Sequence, residues 1–364
     1  MLSPKTKRNI QRIIPFGLVW LFLGWIFLFI EMAAMGGWEN TPSSAVKVDI
    51  NVFIFASLAV SFVGMIIGTI ELLYLNTRFA SRSFGRKILY KFLIYSFLLS
   101  IVIFITFSIA SAIENKVSVF DALVFNNYLE FVTSYTHLST ALQMTVSLIL
   151  SLLYTEINDT IGNNFLINFF TGKYHQPQEE QRIFMFVDMK SSTTHAEQLG
   201  NKQYFRLLKA YYNFISDAIV RNAGEIYQYV GDEIIVSWKL KNNQLDNNCI
   251  DCFFDMKADL KKQEIWFKNN FDVVPTFKAG LHLGKVTAGE IGKVKKDILF
   301  SGDVLNATAR IQGLCNDYGV DILVSSVLIN HLDLSRKYII KSMGTNELRG
   351  RREQIFLFSV SEEK

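Results

Sequence analysis

The stretch IFMFVDMKSSTTHAEQLG, residues 183–200, decides how this chain is read. Five apolar residues lead to Asp188, the pattern of a strand buried on both faces. The next residues open a helix: Ser191, Ser192, Thr193 and Thr194 are N-cap types, and Glu197 falls in the early turns. A longer amphipathic helix is predicted over 202–222. After it, EIYQYVGDEIIVSW (225–238) has the form of a hairpin, with strands at 226–230 and 234–238 and Gly231-Asp232 at its tip. Further strands are predicted at 276–283, 298–301 and 322–325, and a helix at 304–315. Helices thus alternate with strands, which defines an α/β domain.

Two carboxylates stand out within that pattern. Asp188 ends an apolar strand and Asp232 sits at a hairpin tip, and neither has a Lys or Arg at ion-pair spacing along the chain. If the two strands are neighbours, their acids converge at one end of the sheet. Two hard oxygen ligands there suit Mg²⁺ or Mn²⁺, ions that also take phosphate oxygens from a substrate. The adjoining helix N-terminus, with Ser191, Ser192 and Thr193, offers backbone N–H groups to phosphate. The combination points to two-metal phosphoryl chemistry.

Working outward, the apolar surplus of the chain lies on the N-terminal side. Half of the 364 residues are hydrophobic, 19% are charged and 31 are Phe, which excludes disorder and points away from a wholly soluble protein. Four stretches, 13–30, 52–70, 92–113 and 131–154, are long enough or nearly so to cross ~30 Å of hydrocarbon. The last is the most polar, holding eight Ser/Thr, His137 and Gln143. No small-residue cleavage site follows the first, so it reads as a retained span. Lys5, Lys7, Arg8 and Arg12 precede the first span, and Arg78, Arg82, Arg86, Lys87 and Lys91 occupy the second connector. The other connectors hold Glu39, Lys47 and Asp49, and Glu114, Lys116 and Asp121. The positive-inside rule then places both termini in the cytoplasm, in a multi-pass protein of the inner (plasma) membrane. The outer connectors are too short for an external sensory domain. Glu71 and His137 are the ionisable residues of the spans, read either as functional groups or as an interface residue and a hydrogen-bonded bundle residue. Gly64 and Gly68 form a GxxxG that permits close helix approach.

The expected domains are a four-helix transmembrane bundle over 1–155, a connector over 156–182 and the α/β domain over 183–364. In the connector, Phe165, Leu166, Phe169 and Phe170 mark one face of a short helix, read either as an interfacial helix or as a pairing element. Gly172 stops it and Pro177 begins an exposed linker. The whole net charge of +4 lies in residues 1–155, and the remainder balances. A balanced α/β half has no electrostatic footprint for nucleic acid. Three cysteines, Cys249, Cys252 and Cys315, make no disulfide framework, and the lone CxxC lacks the partners of a zinc site.

Taken in order, FVDMKSSTTHAEQLG (186–200), YQYVGDE (227–233), GLHLGKVTAGEIG (280–292), GDVLNATARIQGLC (302–315) and ELRGRREQIFLFSV (347–360) resemble the class III nucleotidyl cyclase catalytic domain. A membrane bundle ahead of such a domain resembles the bacterial membrane-anchored adenylate cyclases. FFTGKYHQPQEEQRIFMF (169–186) is similar to the transducing connector of some of them. The resemblance implies a ferredoxin-like α/β sandwich working as a homodimer with shared active sites, two divalent ions per site, and conversion of ATP to cyclic AMP and pyrophosphate. By motif, Asp188 and Asp232 match the metal-binding aspartates, and the Met189 carbonyl would complete one coordination shell. Asn306 matches the residue that orients the ribose, and Arg310 the one that stabilises charge on the α-phosphate. Lys285 stands where the family often has a phosphate-meeting Arg, and Arg349 or Arg351 would neutralise the terminal phosphates.

The base-reading pair departs from the adenylate pattern. Gln228 and Leu299 stand where many adenylate cyclases carry Lys and Asp or Thr, and Leu cannot hydrogen-bond. GTP or a pyrimidine triphosphate therefore stays open beside ATP. A non-catalytic membrane receptor with a cyclase-like dimerisation domain is the reading from another class, and retention of Asp188, Asp232, Asn306 and Arg310 argues against it. A diguanylate cyclase is excluded because the GGDEF signature is missing.

Overall fold

The computed structural model describes residues 3–34, 50–79, 82–162, 168, 171–240, 246–334, 337–347 and 354–363. It divides into two compact units, Thr6–Ile167 and Met1–Lys5 with Asn168–Lys364.

The first unit is helical. α1 (Pro4–Ala34), α2 (Ile50–Ile70), α3 (Phe84–Asn115) and α5 (Tyr135–Ile161) supply four helices long and apolar enough to cross a membrane. Many of their large apolar side chains face outward, Phe55, Leu58, Phe62 and Phe97 among them, as a lipid solvent requires. The inward faces pack Phe16, Trp20, Ile67, Tyr95, Leu148 and Leu152 together. The glycine pair lies on the α1–α2 contact. A Cβ on Gly64 would fall 2.7 Å from the Trp20 ring, and one on Gly68 2.7 Å from the Phe16 ring. Small residues are what let these two aromatic side chains seat against α2.

Three expectations change here. The fourth span starts at Tyr135, not 131, because Ser134 caps it through the His137 N–H (3.1 Å). A separate helix, α4 (Ala122–Val132), capped by Asp121, fills the third connector and carries Phe131. The basic residues expected in the second connector are partly wound into α3, and Lys91 is turned inward with only 2% exposure. Glu71 is fully buried, on a π-helical turn (Glu71–Leu75) that interrupts the helix before Asn76–Arg78. Lys91 pairs with its carboxylate, and the Tyr95 hydroxyl donates to the other oxygen at 3.1 Å. Asn76 accepts from Lys91 at 3.5 Å and donates to Asp159 near the end of α5, which Arg12 of α1 also pairs. A continuous polar chain thus ties all four long helices at one end of the bundle. His137 stacks edge-on to Phe131 (5.0 Å), and its buried Nδ1 has no hydrogen-bond partner among the described residues. The expected connector face, Phe165, Leu166, Phe169 and Phe170, lies outside the described residues.

The second unit is an eight-stranded mixed sheet with helices on both faces. Its strands are β1 (Gln178–Met189), β2 (Glu225–Val230), β3 (Glu233–Lys239), β4 (Phe277–Ile291), β5 (Asp297–Ser301), β6 (Ile322–Ser325), β7 (Tyr338–Glu347) and β8 (Gln354–Glu362). They lie in the order β2-β3-β1-β4-β6-β8-β7, with β5 on β4. β1 runs antiparallel to both β3 and β4. With α6 (Ser192–Arg221) and α7 (Asn248–Lys262) as crossovers, β1 to β4 form the βαββαβ core of a ferredoxin-like fold. β1 alternates its burial: Ile183, Met185, Val187 and Met189 enter the core under α6 and α7, while Phe184 and Phe186 enter the core on the opposite face. That two-sided burial is why its sequence is apolar without alternation. α8 (Glu264–Phe271) follows α7, and α9 (Asp303–Gly313) covers the second face through Val304, Ala307 and Ile311.

β1 begins five residues earlier than hydrophobicity indicates. Within its polar start Glu180 and Arg182 are buried as a charge cluster: Glu180 takes Arg182 at 2.8 Å and Lys239, and Arg182 reaches Glu225 at 2.9 Å. Cys249 and Cys252 are core residues of α7, where burial pushes the Cys249 thiol up to about 12.

Candidate active site

β1 and β3 pair so that Asp188 lies opposite Glu233, which puts Asp232 at the same end of the sheet. The hairpin turns through Gly231 in the left-handed region (φ 64°), and the Tyr212 hydroxyl of α6 holds the tip by donating to the Gly231 carbonyl at 2.8 Å. Burial raises the pKa of Asp188, and the neighbouring charge of Asp232 raises it further. Glu233, half-buried beside them, is pushed up to about 7 by burial and then by the charges of Asp188 and Asp232.

One cation is present that spacing along the chain did not reveal. Lys278 stands opposite Asp188 on β4, and its ammonium lies 3.4 Å from Oδ2. Gln312 of α9 donates to the same oxygen at 3.1 Å. The expectation that Asp188 has no nearby base is thus corrected: strand pairing supplies one from 90 residues away.

A cleft of about 500 Å³ opens beside Asp188, lined also by Met189, Ser191, Ser192, Thr193 and Lys278. Ser191 is held in the left-handed region (φ 56°) and makes no side-chain cap bond. Non-glycine residues sit there at a cost, so the turn is set by the surrounding structure. Tyr204, whose hydroxyl meets Ser192, and Tyr212 were not singled out in the sequence. Tyr212 meets the hairpin at Gly231 and Tyr229, and Tyr204 packs against the core, and an aromatic at helical spacing looks like ordinary core.

The remaining candidates stand elsewhere on the chain. Asn306 is exposed and Arg310 half-buried on α9. Lys285 lies seven residues along β4 from Lys278, ~23 Å at strand rise. Leu299 on β5 is 41% exposed, and Gln228 is exposed on β2 just after a register shift. Tyr227 and Phe300, their sequence neighbours, meet with ring centroids 4.7 Å apart, so β2 and β5 approach one another. One chain therefore gathers Asp188, Asp232, Met189 and the Ser/Thr turn, and does not bring Lys285 to them. Arg349 and Arg351 lie outside the described residues.

The residues fit a divalent ion of open coordination. Among the described residues no group of three or more His, Cys, Asp or Glu forms a closed metal centre. Two neighbouring carboxylates, Asp188 and Asp232, beside a cleft that holds the Ser191–Thr193 helix start, suit an ion that keeps water and takes substrate oxygens.

The family model described as "Adenylate and Guanylate cyclase catalytic domain" matches residues 174–361. The chain is similar to adenylate cyclase 2 of Rhizobium meliloti (strain 1021), with 30% identity over 206 residues, 57% of this chain and 57% of that protein. It is also similar to an adenylate cyclase of Anabaena cylindrica, with 26% identity over 187 residues, 48% of this chain and 36% of that protein. Among solved structures, an adenylyl cyclase from P. aeruginosa aligns over 52% of this chain and 97% of its own, with 18% identity and a TM-score of 0.44.

Proposed function

The chain belongs to the adenylate and guanylate cyclase catalytic-domain family, and from that premise we propose that it is a membrane-anchored homodimeric cyclase converting ATP to cyclic AMP and pyrophosphate. Domains of this family bind nucleoside triphosphates, work as dimers and depend on divalent metal. The observation that carries the reading is the convergence of Asp188 and Asp232 beside the Ser191–Thr193 cleft.

Asp188, Asp232 and the Met189 carbonyl would hold two Mg²⁺ or Mn²⁺ ions. Bound there, the ions would lower the pKa of the ribose 3′-hydroxyl and offset charge on the departing pyrophosphate. The N-terminus of α6, at Ser191, Ser192 and Thr193, receives phosphate oxygens. A second copy supplies Asn306, which orients the ribose, and Arg310, which meets the charge developing on the α-phosphate. Lys285 and Arg349 act on the triphosphate, and Gln228 and Leu299 border the base. The four long helices hold the enzyme in the inner membrane, with both termini cytoplasmic and the bundle setting its activity.

Purified full-length protein given Mn²⁺ with ATP, GTP, CTP or UTP, and the product identified by mass spectrometry, tests this reading. Cyclic AMP is the expected product. Cyclic GMP or a cyclic pyrimidine nucleotide would move the base assignment, and no cyclic product in detergent or lipid would make the domain a dimerising receptor element. Asp188→Ala and Asp232→Ala should each abolish turnover.

A further inference from the structure

We propose that Gln312 is a positioning residue that anchors the ion-binding carboxylate of Asp188 to helix α9. The inference rests on the cyclase reading of the site. Gln312 is 7% exposed, and its Nε2 donates to Asp188 Oδ2 at 3.1 Å. Lys278, 9% exposed, approaches the same oxygen at 3.4 Å. Oδ2 is therefore gripped from two sides and the carboxylate rotamer is fixed.

The two grips differ in chemistry. The ammonium of Lys278 orients the carboxylate but opposes any cation arriving beside it. The amide of Gln312 is neutral, so it orients the same group without adding charge at the site. Its backbone is also packed against β4. A Cβ on Gly280 would lie 2.3 Å from the Gln312 nitrogen and 2.7 Å from its Cα, so α9 rests directly on β4 at that point. Gly280 pairs with Phe186 of β1, two residues before Asp188. From this fixed point the side chain reaches one strand across to the acid. Asn306 and Arg310 stand on the same helix, six and two residues earlier. One rigid element thus carries the transition-state residues and aims the ion ligand.

Mn²⁺ binding to the purified full-length protein without nucleotide, read by the electron paramagnetic resonance of free ion, tests the assignment. Gln312→Met keeps the volume and removes the donor. Gln312→Asn keeps the amide but falls one methylene short. Both should weaken Mn²⁺ binding roughly 10-fold or more, as loss of a ligand's hydrogen-bond partner does, and lower kcat, with melting temperatures close to wild type. Lys278→Met should not weaken Mn²⁺ binding. Wild-type Mn²⁺ affinity in either Gln312 variant overturns the proposal, as does loss of binding that only accompanies a collapsed melting temperature. If the wild type makes cyclic nucleotide and binds Mn²⁺ while the Gln312 variants are unaffected, this inference fails alone. If the wild type does neither, the cyclase reading fails and takes this one with it.

Discussion

Arg310 is half-buried near the end of α9, and its proposed work is done in the second copy's site. Arg310→Ala should therefore lower kcat by ~10³-fold, the scale of an arginine removed from developing phosphoryl charge, while the melting temperature stays near wild type. Glu180 gives a prediction of a different kind. Burial alone would raise its pKa, but hydrogen bonds and charge from Lys239 and Arg182 hold it down at about 2, against an ordinary 4.5. Because the folded value is depressed, the stability it contributes is whole above pH 4.5 and is lost as pH falls toward 2. It is worth on the order of 3 kcal/mol at neutral pH. A melting-temperature profile of Glu180→Gln should be flatter than wild type across that acid window. Asp188 was legible because it closes a buried hydrophobic run, and Asp232 because it stands at the tip of a predicted hairpin between two such runs. Lys278 and Gln312 were not, because what joins them to Asp188 is strand pairing and helix docking, which leave no mark in spacing along the chain.

At the scale of elements, α9 meets β4 backbone to backbone at Gly280 and Gln312. Gly280→Ala would drive a methyl group into the Gln312 backbone, which cannot rotate away as a side chain would. The expected cost is ~2–3 kcal/mol from overpacking, seen as a lower melting temperature and, because α9 is displaced, a kcat loss larger than that of an equally destabilising change elsewhere. The strands that build the site were readable as buried apolar runs, and 322–325 matches β6 residue for residue. α7 escaped notice although its apolar positions recur at helical spacing. Cys249 and Cys252 drew attention as possible ligands, when they are core residues of the same stripe as Ile250, Phe253, Met256 and Leu260. β7 and β8 escaped for the opposite reason. Ile339, Ile340 and Phe356 are partly exposed on this edge hairpin, so its pattern lacks the contrast between a buried and a solvated face.

For the whole molecule, the membrane unit was legible in its four long apolar runs and blurred wherever polarity was buried. Hydropathy ends a span at Glu71 and begins the next after Lys91, whereas the fold buries both by pairing them. Lys91→Met alone would leave a carboxylate unpaired inside the bundle and should cost ~3–5 kcal/mol. The double change Glu71→Gln with Lys91→Met should recover most of that loss, measured as melting temperature in detergent and as yield from membranes. The same pair constrains how the protein is made. A charged residue released into hydrocarbon carries a transfer cost that reaches ~2.5–3.5 kcal/mol at the centre and falls toward the ends of a span, and neither helix brings its own neutralising partner. The helical hairpin of α2 and α3 is then best released into lipid as one unit, the acid waiting at the translocon until the base that answers it has been synthesised.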